Sequence, residues 1–222
     1  MHPPLMVINP NSNEAVTRGI DTALEPLRLS GGPAIRCLTL HDGPAGVQTQ
    51  GDIALVTPRL LELIRTHEAT SGAFVIACFS DPALAAAREV TRRPVLGIGE
   101  SALLTALTLG ERFGVIAMQD SARARHLRTY GAMGILDRFA GEEAIGLSIT
   151  ALGDARQRQD RLAVVGRRLR DEHHADVLVM GCAGLAHHRE ELQRALGIPV
   201  VEPSQAAAVM ALGRICLNWE KG

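Results

Sequence analysis

Short runs of apolar residues alternate with longer amphipathic stretches along the whole chain. A continuous apolar run of about four to eight residues is typical of a strand that is buried on both faces. The stretch from Asp52 to His67 repeats its apolar positions with helical spacing, which predicts a helix. Strands that alternate with helices predict an α/β fold with a parallel sheet covered by helices. The predicted strands are 5–8, 34–40, 73–77, 95–98, 114–117, 177–180 and 200–201.

Part of this pattern occurs twice. The segment Phe74–Cys78 resembles Leu178–Cys182, 104 residues later, and strands opened by Pro94 and Pro199 follow at an offset of 105 residues. Any two strand–helix units share some likeness, which is one explanation. The other is an internal duplication that produces two similar α/β lobes. For a duplicated chain we expect the first lobe to comprise residues 1–97 with 203–222 and the second to comprise residues 98–202.

Each repeat ends its apolar strand with a cysteine, Cys78 in the first and Cys182 in the second. Ligands of open α/β sheets bind outside the carboxyl ends of the strands, where the N–H groups of a following helix favour a thiolate. Inversion of a carbon acid requires a base on one face of the carbon and an acid on the other, which two thiols across a cleft can supply. The alternative is that both are buried core residues, the role predicted for Cys37 and Cys216.

Composition and charge narrow the possible chemistry. The chain has 222 residues and a formal net charge of −1, so neither nucleic acid nor an anionic membrane is an expected partner. Lys221 is the only lysine, which leaves no plausible residue for a pyridoxal phosphate Schiff base or a Walker-type phosphate loop. The N-terminal residues lack the pattern of a secretory signal, and no apolar run is long enough to cross a bilayer. We therefore expect a cytoplasmic protein whose cysteines are free thiols.

Three other motifs receive structural interpretations. The pairs His173–His174 and His187–His188 lack the spacing that places two imidazoles on one helix face, so surface histidines and no metal site are predicted. The segment Gly97–Gly99 lacks the third glycine of a dinucleotide-binding loop. The segment Ser80–Pro82 offers an N-cap and a first-turn proline for a helix after Cys78.

Five blocks of sequence carry a family resemblance: 8–12 (INPNS), 77–82 (ACFSDP), 94–100 (PVLGIGE), 181–184 (GCAG) and 198–203 (IPVVEP). Together they resemble the Asp/Glu/hydantoin racemase family, and most closely its hydantoin and allantoin racemase branch. The resemblance implies a pseudo-symmetric, two-lobed α/β fold with the active site in the cleft between the lobes. It also implies a small-molecule substrate, a homo-oligomer, and racemisation by Cys78 and Cys182 without a cofactor.

The residues beside the cysteines bear on the substrate. In the aspartate and glutamate racemases, residues that bind substrate carboxylates occupy the places held here by Phe79–Ser80 and Ala183–Gly184. Ala117–Met118 stands where the hydantoin branch usually has threonines, a departure that leaves open a different or bulkier substrate. We expect these three pairs and Asn9 to bind the substrate, although Asn9 is equally suited to a turn or a helix cap.

The predicted function is a cofactor-independent racemase that inverts a carbon next to a carbonyl, in a 5-substituted hydantoin or in allantoin. The alternatives are an aspartate or glutamate racemase, an enzyme resembling maleate isomerase or arylmalonate decarboxylase, and a small-molecule binding module. Arylmalonate decarboxylases resemble the same fold but keep only the second cysteine, so Cys78 argues against that branch.

Overall fold

The computed structural model describes residues 2–146 and 155–219, which form two compact units. The first unit contains the residues up to Ser101 and those from Ser204 onward, and the second is Ala102–Pro203. Each unit contains one four-stranded parallel sheet, which confirms the predicted α/β class. In the part of the chain that the structure describes, no helix is both long enough and apolar enough to span a membrane.

In chain order the strands and α-helices are β1 (Leu5–Asn9), α1 (Glu14–Ala23), β2 (Ile35–Thr39), α2 (Gln50–His67), β3 (Ala73–Ile76), α3 (Leu84–Val90), β4 (Val95–Gly97), α4 (Ile98–Ala106), β5 (Phe113–Ala117), α5 (Arg123–Ala132), β6 (Phe139–Ala144), α6 (Ala155–Asp171), β7 (Val177–Met180), α7 (Arg189–Leu196), β8 (Val200–Val201) and α8 (Pro203–Cys216).

The two sheets have the same topology. The first has the strand order β2-β1-β3-β4 and the second has the order β6-β5-β7-β8, with every neighbouring pair parallel. The N–H of Ala77 donates to the carbonyl of Ile8 at 2.8 Å, and the N–H of Gly181 donates to the carbonyl of Ile116 at the same distance. Both bonds join the first and third strand of a unit immediately before the cysteine. The fold therefore favours internal duplication over a chance likeness.

Helix α2 shows why the apolar pattern predicted its position. Val56, Leu60 and Ile64 are spaced by four residues and are fully buried against the first sheet, and burial of each such side chain contributes about 1.5–3 kcal/mol. At the start of the helix, the side chain of Thr49 accepts the N–H of Asp52 at 3.1 Å, and the Asp52 carboxylate accepts the N–H of Thr49 at 2.8 Å. This capping box determines where the helix begins.

Strand β6 was not predicted, because its sequence contains two adjacent carboxylates. One of them, Glu142, is nevertheless almost completely buried. Its carboxylate lies 3.0 Å from Nδ1 of His126 and accepts the hydroxyl of Tyr130 at 3.2 Å. Tertiary partners on α5 therefore satisfy a side chain that would otherwise oppose burial in a strand.

Candidate active site

The carboxyl edge of the first sheet brings Asn9 and Cys78 together. Strands β1 and β3 are neighbours, with Ile8 paired to Ile76, so the residues after each pair leave the sheet side by side. Cys78 is partly buried and forms no disulfide, and its carbonyl accepts the N–H of Asp81 at 2.9 Å. This is the edge at which parallel α/β sheets bind ligands.

The side chain of Asn9 organises the loop that follows β1. Its amide nitrogen donates to the side chain of Asn11 at 3.1 Å, to the carbonyl of Asn13 at 3.2 Å and to the hydroxyl of Thr17 at 3.0 Å. Its amide oxygen accepts the N–H of Asn11 at 3.2 Å. These are the contacts that the turn interpretation of Asn9 requires.

The loop after Cys78 differs from the prediction. Helix α3 begins at Leu84, and the residue before it, Ala83, has a positive φ of 61° and no side-chain cap, so the predicted N-cap within Ser80–Pro82 is wrong. The Asp81 carboxylate instead accepts the N–H of Gly99 at 2.9 Å and of Glu100 at 2.6 Å. Asp81 therefore caps helix α4 and ties the Cys78 loop to it.

Two glycines make this connection possible. A Cβ at Gly97 would lie 2.2 Å from Cγ of Asp81, and a Cβ at Gly99 would lie 2.2 Å from the carbonyl oxygen of Phe79. The absence of a side chain at Gly97 therefore leaves room for the Asp81 carboxylate, and its absence at Gly99 leaves room for the Phe79 carbonyl. Asp81 was not predicted as a site residue, and the one signal for it was this pair of glycines at the start of a helix.

Burial dominates the electrostatics of Asp81. It raises the pKa of Asp81 to about 7, against the opposing effect of the two N–H groups, and the nearby charge of Glu100 acts in the same direction as burial. Arg88 forms a two-pronged ion pair with Glu100 and donates to the carbonyl of Val95 at 3.0 Å. The Cys78 loop thus rests on a polar network that joins α3, β4 and α4.

The second sheet repeats the arrangement around Cys182. Strands β5 and β7 are neighbours with Ile116 paired to Met180, so Ala117–Met118 and Cys182 leave the sheet at the same edge. Cys182 is partly buried and precedes a 3₁₀ helix, Ala183–His188, whose Gly184 N–H donates to the Cys182 sulfur at 3.4 Å. The predicted site residues thus form one group at the edge of each sheet.

The side chains beside the two cysteines are mostly apolar. Phe79, Ala117 and Ala183 are buried, and Met118 packs against the core of the second unit. Ser80, which is partly buried, supplies a hydroxyl on the first edge. On the second edge Ala183 and Gly184 have no side-chain donor, so polar contacts there come from the backbone.

Several groups act on the ionisation of Cys182. Burial raises its pKa, and so does the charge of Glu202, whereas the N–H of Gly184 and the charge of Arg158 lower it. Glu202 is almost completely buried directly before α8. The net effect favours the neutral thiol of Cys182 at neutral pH.

Comparison with known proteins identifies the family. The family model described as Asp/Glu/hydantoin racemase matches residues 5–211. The chain belongs to this family. The hydantoin racemase of Pseudomonas sp. (strain NS671) is 35% identical over 214 residues, covering 89% of this chain and 80% of the relative. The hydantoin racemase of Paenarthrobacter aurescens is 30% identical over 219 residues, 97% of this chain and 92% of the relative.

A solved structure agrees with this assignment. The allantoin racemase from Klebsiella pneumoniae superimposes with a TM-score of 0.87 at 28% identity, covering 99% of this chain and 90% of that chain. The chain is accordingly an isomerase, a racemase of the Asp/Glu/hydantoin family, and the predicted family, fold class and enzyme class are confirmed.

Two predictions about the racemase's other residues are wrong. His187 is exposed as predicted, but His188 is buried, because the 3₁₀ helix turns its ring towards α6, where Nδ1 lies 2.6 Å from Oε1 of Gln159. Cys216 is exposed at the end of α8 and is not a core residue, whereas Cys37 is partly buried.

Within residues 2–146 and 155–219, no three His, Cys, Asp or Glu side chains form a group that could hold a metal ion.

Proposed function

We propose that this racemase inverts a carbon next to a carbonyl in a five-membered, hydantoin-type ring, with Cys78 and Cys182 as its acid–base pair and without a cofactor. The observation that carries the proposal is the repeated placement of one thiol at the same edge of two sheets with the same topology. The names of the relatives, hydantoin racemases and an allantoin racemase, favour this ring as the substrate class.

In the proposed reaction, the thiolate of one cysteine removes the proton from the carbon, and the thiol of the other delivers a proton to the opposite face. Their roles exchange when the other enantiomer is bound, because the reverse reaction uses the same groups. The raised pKa of Cys182 suits it to be the proton donor in the resting enzyme. Negative charge develops on the adjacent carbonyl oxygen, and backbone N–H groups at the sheet edges would stabilise it.

The apolar surroundings of the cysteines favour a neutral ring. Phe79 and Met118 supply apolar surface, and Ala183 offers no charged or hydroxyl group to a second carboxylate. Burial of an unpaired carboxylate costs several kcal/mol, on the order of the effective desolvation penalty of a buried ion. A hydantoin, whose carbonyl and N–H groups can bond to the backbone, avoids that cost.

The direct test uses enantiopure 5-benzylhydantoin in heavy water, with optical rotation and proton NMR followed together. We expect loss of optical activity and incorporation of deuterium at the inverted carbon. A protein that binds the hydantoin and leaves both signals at the background rate would contradict the proposal. Because hydantoins exchange slowly without enzyme, a reaction without protein serves as the control.

A further inference from the structure

The residues around Cys78 are bonded to the sheet on one side and to helix α4 on the other. On the sheet side, the N–H of Ala77 donates to the carbonyl of Ile8 at 2.8 Å. On the helix side, the chain turns so that the N–H of Asp81 donates to the carbonyl of Cys78 at 2.9 Å. The side chain of Asp81 then reaches the first N–H groups of α4. Asp81 therefore closes the turn with its backbone and connects it to the helix with its carboxylate.

The turn meets α4 at two points. The Asp81 carboxylate accepts the N–H groups of Gly99 and Glu100, at 2.9 Å and 2.6 Å. The carbonyl of Phe79 packs against Gly99, where a Cβ would lie 2.2 Å from its oxygen. Hydrogen bonds to an ionised carboxylate are stronger than those between neutral groups. Glu100 is itself held by a two-pronged ion pair with Arg88 on α3, so the turn is bonded to a helix end that a second helix also holds.

The backbone of the turn is not relaxed. Asp81 has a positive φ of 45° and Ala83 has one of 61°, a region that residues other than glycine seldom adopt. Such conformations persist where the surrounding structure enforces them, and they cluster at functional sites. Because the two bonds to α4 help to enforce this backbone, we expect their loss to let the turn relax and the Cys78 thiol to move with it.

Proton transfer is sensitive to small displacements of a thiol. A base must lie within hydrogen-bond reach of the proton that it removes, and a displacement of about 1 Å can lower a rate about 100-fold. In the second unit, the residue three positions after Cys182 is Leu185, which has no carboxylate and lies in the 3₁₀ helix Ala183–His188. Loss of the Asp81 carboxylate should therefore affect the two thiols unequally.

We propose that Asp81 is a positioning residue for Cys78: its carboxylate, bonded to the first N–H groups of α4, holds the turn in the conformation that places the thiol for proton transfer. The inference rests on the proposed function, because the position of this thiol limits a rate only when Cys78 transfers protons. It goes beyond a capping role, since a helix cap predicts lower stability but no effect confined to one of the two thiols.

The test compares Asp81→Asn and Asp81→Ala with Asp176→Asn as the matched control. Asp176 also accepts two consecutive N–H groups, those of Glu111 and Arg112, at 2.9 Å and 2.8 Å. It lies at the amino end of β7, however, whereas Cys182 follows the carboxyl end of that strand. Each enantiomer of 5-benzylhydantoin is supplied separately in heavy water at about pH 8.5, above the pKa of Asp81 of about 7, so that the wild-type carboxylate is ionised. Racemisation and deuterium incorporation into the recovered starting enantiomer are both measured.

We expect Asp81→Asn to lower kcat/KM about 3- to 10-fold, because asparagine keeps one acceptor oxygen, and Asp81→Ala to lower it about 10- to 100-fold. The fall should be the same for both enantiomers, because each reaction uses both thiols and the equilibrium constant between the enantiomers is one. For the enantiomer that Cys182 deprotonates, a slow step at Cys78 leaves time for the proton to exchange and return. The ratio of deuterium incorporation to racemisation should therefore rise for this enantiomer, which Cys78→Ser identifies, and not for the other. In Asp176→Asn both ratios should match the wild type.

Amide hydrogen exchange of the peptide that contains the Cys78 turn gives a readout that does not depend on the reaction. It should be faster in Asp81→Asn than in the wild type and unchanged in Asp176→Asn. Asparagine is close to aspartate in shape, so Asp81→Asn decides the outcome if Asp81→Ala does not fold.

A ratio that rises for neither enantiomer or for both in Asp81→Asn overturns the inference, as does the same change in Asp176→Asn. Should the wild type leave both enantiomers unchanged, the proposed function fails and hydrogen exchange decides on the turn. Faster exchange in Asp81→Asn then supports the role of Asp81 in holding Cys78, and unchanged exchange overturns it.

Discussion

At the scale of single residues, the loop after Cys78 packs into space that is open because Gly97 and Gly99 have no side chains. The sequence pattern is enough to predict the two cysteines as site residues, because each follows an apolar strand. It does not identify the partner of Asp81, since a carboxylate three residues after the cysteine has the same local pattern whether it caps α3 or α4. The choice depends on contacts across 18 residues of chain, which local pattern does not contain.

Gly99→Ala tests this packing. The added methyl group would meet the carbonyl oxygen of Phe79, a backbone atom that moves only with the whole loop. We expect a loss of about 1–3 kcal/mol in the free energy of unfolding, measured with urea, and a fall in racemase activity. Gly19→Ala is the control, because apart from its two chain neighbours and the backbone of its own helix no atom lies within 4 Å of a Cβ at this position in α1, and it should stabilise the protein by about 0.5–1 kcal/mol. Equal effects of the two substitutions would contradict the packing account.

The pH dependence of stability tests the state of Asp81. The folded protein raises the pKa of Asp81 from 3.8 to about 7, chiefly by burial, so between these values the folded state binds this proton more tightly than the unfolded state. The stability contributed by this group is complete below pH 3.8 and is lost as the pH rises through 7. We expect the free energy of unfolding of the wild type to decrease relative to that of Asp81→Asn across this window, by at most about 1.4 kcal/mol per pH unit. Parallel curves for the two proteins would contradict the raised pKa.

At the scale of elements, apolar runs predicted all the strands that the structure describes except β6, although the run that forms β2 also contains Arg36 and Thr39. The other six predicted strands need no tertiary information, because a run without polar residues is typical of a strand buried on both faces. Strand β6 is different: its burial depends on His126 and Tyr130, which approach from α5. For the same reason the burial of His188 was missed, since its partner Gln159 lies in another helix.

Tyr130→Phe tests whether α5 stabilises β6 through Glu142. The substitution keeps the ring packed edge-on against Phe113 at 5.5 Å but removes the hydroxyl that donates to the buried carboxylate. We expect the free energy of unfolding to fall by about 1–3 kcal/mol, the range for loss of a bond to a buried charged group. A variant as stable as the wild type would mean that the hydroxyl contributes nothing to holding the carboxylate.

At the scale of the whole molecule, the duplication explains why a single sequence pattern predicted two equivalent thiols. Cys78 and Cys182, 104 residues apart, each follow the third strand of their unit, and the two sheets have the same strand order. Pattern alone could not predict that the environments of the two thiols would differ. Cys182 has Glu202 and Arg158 acting on it, and the Cys78 loop is instead anchored by Asp81.

Substrate preference depends on the residues around both cysteines. With apolar side chains around both cysteines, kcat/KM for 5-benzylhydantoin and for allantoin should exceed that for L-glutamate. Burial of apolar substrate surface contributes about 25 cal/mol per Å² to the binding free energy. Burial of a carboxylate without hydrogen-bond or charge partners costs free energy instead. The three substrates are compared side by side by circular dichroism. A higher value for glutamate would contradict the interpretation of Phe79 and Ala183.

The proposed mechanism requires each thiol to serve one face of the substrate. The most direct measurement follows deuterium incorporation and optical activity for each enantiomer of 5-benzylhydantoin separately, with Cys78→Ser and with Cys182→Ser. Both variants should lose racemisation by about 10²–10⁴-fold, because an acid–base group has been removed. Any deuterium exchange that survives in one variant should be confined to one enantiomer of the hydantoin. In the other variant it should be confined to the opposite enantiomer. Racemisation at the wild-type rate by either variant would contradict the two-thiol mechanism.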